Sequence, residues 1–148
     1  MSVEVFATFP LLVILVALAW TDALTQRLPD LGTISVGVLG LLVAIASPAG
    51  DLFDSLLAAA TGFGLFWGIG ATFYRLRGYE GLGLGDAKLF GAAGAWVGLM
   101  GLAWVLLVAT LSALVFVLTM GTGRETRVAF GPWLCIGFSA VWLSKLMV

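Results

Sequence analysis

The chain has 148 residues, 61% hydrophobic and 10% charged, with a mean hydropathy of +1.14; a soluble domain is nearer a quarter charged. Composition therefore describes an integral membrane protein, one helical domain over 1–148; the net charge of −1 hides a patterned distribution and says nothing of nucleic acid, and there is no basic run of the kind that binds phosphates, so no nucleic-acid partner is expected. No histidine and a single cysteine, Cys135, exclude a Cys/His zinc site, a Ser–His–Asp triad, a Cys–His dyad and an intrachain disulfide.

Stretches without a charged residue run over 5–21, 31–50, 55–74, 89–123 and 128–144. A hydrocarbon core of ~30 Å takes roughly 20 helical residues to cross. The first stretch has its positive charge, Arg27, behind it rather than ahead of it. That reads as a retained first membrane helix and not as a signal peptide. The second and third each fit one helix, joined by the turn-like Ser47-Pro48-Ala49-Gly50-Asp51. The stretch 89–123 is too long for one upright helix. It either runs as one tilted helix or turns at Gly98-Leu99-Met100-Gly101. The turn predicts six helices, over 3–21, 31–47, 52–74, 87–98, 102–120 and 130–147. Pro132 then falls at the start of the last, where a proline costs no hydrogen bond. Cys135, in the same apolar run, reads as a packing residue.

With six helices the connections alternate sides. Arg27, Arg75, Arg77, Lys88, Arg124 and Arg127 all fall to one side and only Lys145 to the other. The positive-inside rule makes the crowded side cytoplasmic and puts both termini outside. Glycines at Gly64 and Gly68, and at Gly94 and Gly98, have a spacing that lets helices approach closely, within the bundle or between copies.

Chemistry in such a chain falls to carboxylates, Lys, Arg, hydroxyls or backbone, and no metal or other cofactor is expected. Two places draw attention. Glu80-Gly81-Leu82-Gly83-Leu84-Gly85-Asp86-Ala87-Lys88 sets three glycines before an acid and a base. Glycine backbone there could approach an extended peptide closely and present the Asp86 carboxylate beside it. Asp22 follows the first apolar helix and opens the loop Asp22-Ala23-Leu24-Thr25-Gln26-Arg27-Leu28-Pro29-Asp30. The topology brings Asp22 and Asp86 to the same side, on different helix ends. A facing pair of carboxylates can hydrolyse an amide, one ionised to activate water and one protonated to support the carbonyl. Two like charges held close do not readily both ionise, so one proton is shared. Which aspartate holds it stays open. Against this stands the ordinary role of aspartates as solvated flanks, which Asp51 and Asp54 fit on the outer side. Asp30 is a rival for the site, or an N-cap for the second helix.

These residues resemble a known family. Gly83-Leu84-Gly85-Asp86 with Lys88 is similar to the GxGD signature of type IV prepilin peptidases, and more distantly of preflagellin peptidases and presenilin-type proteases. Asp22 and its loop ending in Leu28-Pro29-Asp30 resemble the family's first catalytic aspartate, and Phe130-Gly131-Pro132 a stretch near its C-terminus. The resemblance implies an aspartic endopeptidase of the inner membrane that removes the short basic leader of prepilins or pseudopilins at the cytoplasmic face, after a glycine and before an apolar helix. It makes Asp22 and Asp86 catalytic, with Gly83, Gly85, Lys88, Asp30 and Arg27 as supporting or substrate-binding residues. Longer members carry an N-terminal cytoplasmic segment with paired cysteines, tied to methylation of the new N-terminus. Here the first apolar helix starts almost at Met1, so the likeness is to the short, peptidase-only members or to the peptidase core of a longer one.

Two other functions compete. An ion-coupled carrier would place an acid in mid-helix, and every acid here falls at a predicted helix end or loop. A non-catalytic assembly subunit would have no use for the two aspartate loops.

Overall fold

The computed structural model describes residues 3–48, 50–78, 83–120 and 129–147. Within them the chain is helical: α1 Val3–Thr25, α2 Asp30–Ala46, α3 Leu52–Arg77, α4 Leu84–Met120 and α5 Gly131–Met147. Helices α1, α3 and α4 are long and apolar enough to cross a membrane, and α2 is a shorter apolar helix. Phe9, Trp20, Leu31, Met100 and Leu118 point outward, as suits a surface bathed in lipid rather than water. Glu80, Gly81 and Leu82, and Arg124 and Arg127, lie outside the described residues.

The six expected helices appear as five elements because the fourth and fifth join without a loop. Gly98, at φ 73 and ψ 179, interrupts α4, in a region that is essentially glycine's alone. The interruption is a single residue, not the Gly98–Gly101 turn expected. The two halves then lie side by side. Gly62 of α3 sits against Phe90 and Gly91 of the first half and Leu102 of the second. The second half returns toward the start of α5, where Phe116 packs on Trp133 with ring centroids 5.0 Å apart.

A break strands backbone groups that a helix would pair, and in an apolar setting these need partners. Asp54 supplies one: its carboxylate accepts the Leu99 N–H at 3.3 Å. Lys145 supplies the other, donating to the Trp96 carbonyl at 3.3 Å. Asp54 is therefore not the solvated flank its position implied. Asp51 caps α3 instead, accepting from the Phe53 and Asp54 amides.

The first half of α4 is the centre of the bundle. From Leu89 to Gly98 every residue is buried, against α2, α3 and α5. Small residues make this possible. A side chain at Gly94 would fall 2.6 Å from the Ala58 carbonyl of α3. Gly40 of α2 gives way to the Trp96 ring, whose Nε1–H donates to the Val36 carbonyl at 2.7 Å. Gly94 thus packs within the bundle, whereas Gly64 and Gly68 meet nothing within 4 Å. Among the described residues α1 packs on α2 and α5, and its backbone does not pack along α4.

Candidate active site

Asp22 does not stand beyond α1 but within its last turn. The helix outruns residue 21 because Ala23 and Leu24 favour helix. It closes at Gln26, which turns left-handed at φ 53 and donates its N–H to the Asp22 carbonyl at 2.8 Å. A left-handed residue after the final turn is a common helix ending, though glycine usually fills it. Asp22 is consequently 5% exposed, far from a solvated flank.

Asp86 sits in the first turn of α4. The Gly83 carbonyl accepts the amides of Asp86 at 3.1 Å and Ala87 at 3.3 Å, so Gly83 occupies the cap position. The positive end of the helix faces this carboxylate.

Two contacts bring the helix ends together. Leu28, in the loop after α1, lies on Gly85 so closely that a Cβ there would fall 2.8 Å from the Leu28 Cβ. Gly131, at the start of α5, brings its backbone amide to the Asp22 carboxylate. A Cβ on Gly131 would lie 2.8 Å from the Asp22 Cγ. Between these contacts a cavity of about 550 Å³ opens. Asp22, Thr25, Gln26, Arg27 and Leu28 line one side of it, and Gly83, Leu84, Gly85 and Asp86 the other. The two carboxylates are near enough for charge on one to act on the other. Cys135 is buried in α5, within the field of both.

Of the residues expected to support the site, Gly83, Gly85 and Arg27 line this cleft, while Lys88 and Asp30 do not. Those two pair with each other, Nζ to Oδ1 at 2.6 Å. Asp30 is not the cap of α2; Pro29 holds that position without a side-chain bond, and the Asp30 carboxylate is drawn to the ammonium group. The bridge ties the start of α2 to the start of α4, and Asp30 is 66% exposed there, where such a pair contributes little energy. Thr25, Gln26, Leu28 and Gly131 complete the surroundings of the pair; sequence reasoning noted them only within the motif stretches and gave none of them a role. Among the described residues no cluster of three or more Asp, Glu, Cys or His side chains is placed to hold a metal ion.

Fold and cleft define an all-helical membrane protein with two carboxylates, from separate helices, facing one polar cavity. The chain belongs to the type IV leader peptidase family, whose model matches residues 9–118. The prepilin leader peptidase/N-methyltransferase of Escherichia coli (strain K12) is 37% identical to it over 119 residues, which cover 78% of this chain and 53% of that protein. The protein of the same name from Pectobacterium carotovorum subsp. carotovorum is 40% identical over 131 residues, covering 86% and 47%. That of Neisseria gonorrhoeae is 35% identical over 122 residues, covering 82% and 43%. The chain thus spans about half the length of these curated relatives. No solved structure matches it.

Proposed function

We propose that the chain is an aspartic endopeptidase that removes the leader of prepilins or pseudopilins, with Asp22 and Asp86 as its catalytic pair. The observation that carries this reading is the shared cleft: two acids from helices whose backbones do not pack along each other line one cavity. The family and its named relatives supply the substrate class.

In this reading the cavity of about 550 Å³ takes an extended backbone, and a water lies between the carboxylates. The ionised carboxylate takes a proton from that water as its oxygen attacks the scissile carbonyl carbon. The protonated carboxyl gives its proton to the carbonyl oxygen. Collapse of the tetrahedral intermediate breaks the C–N bond, and a carboxyl proton passes to the departing amine.

In the proposed orientation this end of the bundle faces the cytoplasm of a cell whose inner membrane holds it, and both termini lie outside. Arg27, Arg75, Arg77 and Lys88 collect at the cleft end, as the positive-inside rule asks. The two halves of α4 count as separate passes, making six. The first half, from Leu84 to the break at Gly98, is about 14 residues and ~20 Å long, short of the ~30 Å apolar core. Asp86 therefore lies inset from the surface, reached through the wet cleft. Gly64 and Gly68, open on the outside of α3, are the place for any contact between copies.

The test is direct. The purified chain in lipid vesicles is expected to shorten a leader-bearing prepilin at one bond, read by intact mass. No cleavage of any leader-bearing substrate by folded protein would contradict the reading.

The two glycines of the motif are expected to respond differently. At Gly83 a Cβ finds only ordinary contact, 3.7 Å from an Asp86 carboxylate oxygen, so Gly83→Ala is expected to retain activity within a few-fold. Gly85→Ala meets Leu28 and pushes the two helix ends apart. A displacement of ~1 Å at a reacting group costs on the order of 100-fold, and a loss of that order in kcat is expected. Equal rates for the two variants would argue against closure through Leu28.

A further inference from the structure

A second hollow adjoins the cleft. Gly83 and Leu84 also border this hollow of about 220 Å³ on the α3 side. Trp67, Ala71 and Tyr74 recur there at four- and three-residue spacing and so share one face of α3. Trp67 and Tyr74 form its walls, and the small Gly70 and Ala71 leave the space between them. Phe66, 4% exposed, is its floor. That ring stacks on Phe90 with centroids 4.3 Å apart and lies 6.4 Å from Phe130. Phe130 directly precedes Gly131, whose amide meets Asp22. The floor of the hollow is thus packed into the frame that holds the carboxylate pair.

The two lobes differ in chemistry. The Asp22 lobe presents Thr25, Gln26 and Arg27. The side chains of the α3 lobe are aromatic and aliphatic apart from the Trp67 Nε1 and the Tyr74 hydroxyl. An apolar cavity of ~150 Å³ takes a benzene ring, so about 220 Å³ holds one large side chain and not a helix. Gly83 and Leu84 line both hollows, so a side chain seated in the second belongs to a residue close to the cut bond.

We propose that this hollow is a substrate subsite that receives one bulky apolar side chain from the first turn of the apolar segment following the cut. The subsite rests on the peptidase reading above. A substrate lying across both lobes would place its polar leader on the Asp22 side, near Thr25 and Gln26, and its apolar part against α3.

The experiment compares two leader-bearing substrates in lipid vesicles, one with bulky apolar residues through the first turn after the cut and one with alanines there. The unaltered chain is expected to favour the bulky substrate by about tenfold or more in KM, the scale on which a hydrophobic pocket discriminates. Ala71→Leu fills the hollow and is expected to raise KM for the bulky substrate about tenfold with kcat kept. Its KM for the alanine substrate should stay where it was; loss of KM alone marks lost binding. Trp67→Ala removes a wall at a 56% exposed position, where folding is not at stake, and is expected to narrow the same ratio. A KM ratio near one in the unaltered chain, or a ratio unchanged in both variants, overturns the subsite and leaves the peptidase reading standing. Cleavage of neither substrate by the unaltered chain overturns both.

Discussion

Gly131→Ala is expected to lower kcat by on the order of 100-fold while leaving the protein folded, because a misplacement of ~1 Å at a reacting group costs that much. The added Cβ would lie 2.8 Å from the Asp22 Cγ and 3.3 Å from its Cβ. The obstructing group is the end of one short side chain, so it can rotate away at small cost to stability. It cannot do so and stay in the cleft. The expected signature is therefore a normal thermal unfolding midpoint with most of the cleavage gone. Near-normal kcat in Gly131→Ala would show that the carboxylate does not work from the position it holds against α5.

Much of this was legible in the residues. Charge-free runs gave the helices, because a span must be apolar for about 20 residues whatever it packs against. The break near Gly98 was legible as one of two readings, since 89–123 was too long for one upright pass but could also tilt. Its detail was not. Nothing local says that Asp54, 45 positions before Leu99, accepts the Leu99 N–H, or that Lys145 reaches the Trp96 carbonyl. Both look like charged flanks until the fold sets them on a broken helix.

The site divides in the same way. Asp22 and Asp86 stood out because acids are rare and costly in an apolar chain. The burial of Asp22 was harder to read, since α1 runs past its apolar stretch on the strength of Ala23 and Leu24. Leu28 and Gly131 act by position, one by resting on a glycine and the other by being one. No residue-type rule marks such roles. Phe130-Gly131-Pro132 was noticed for its resemblance, and its physical use appeared only with the fold. Asp30 and Lys88 satisfied each other, a pairing across 58 positions that spacing does not announce.

The largest effect is expected at the aspartates themselves. Asp22→Asn and Asp86→Asn should each remove essentially all cleavage, a fall of about 10³-fold or more in kcat. An amide can neither take a proton from water nor return one to the leaving amine. Neither change adds bulk, so each variant should insert and unfold much as the parent does. Asp30→Asn breaks only the exposed pair with Lys88 and is expected to keep most of the activity.

Two acids working as one unit also make a sharper demand, because losses within such a unit do not add. The deciding measurement is kcat for a membrane-embedded prepilin with the two single variants and the double variant Asp22→Asn/Asp86→Asn, each verified as folded. The account predicts three equally inactive proteins, the double no slower than either single. Substantial turnover by folded Asp22→Asn or Asp86→Asn, or losses that multiply in the double variant, would contradict it.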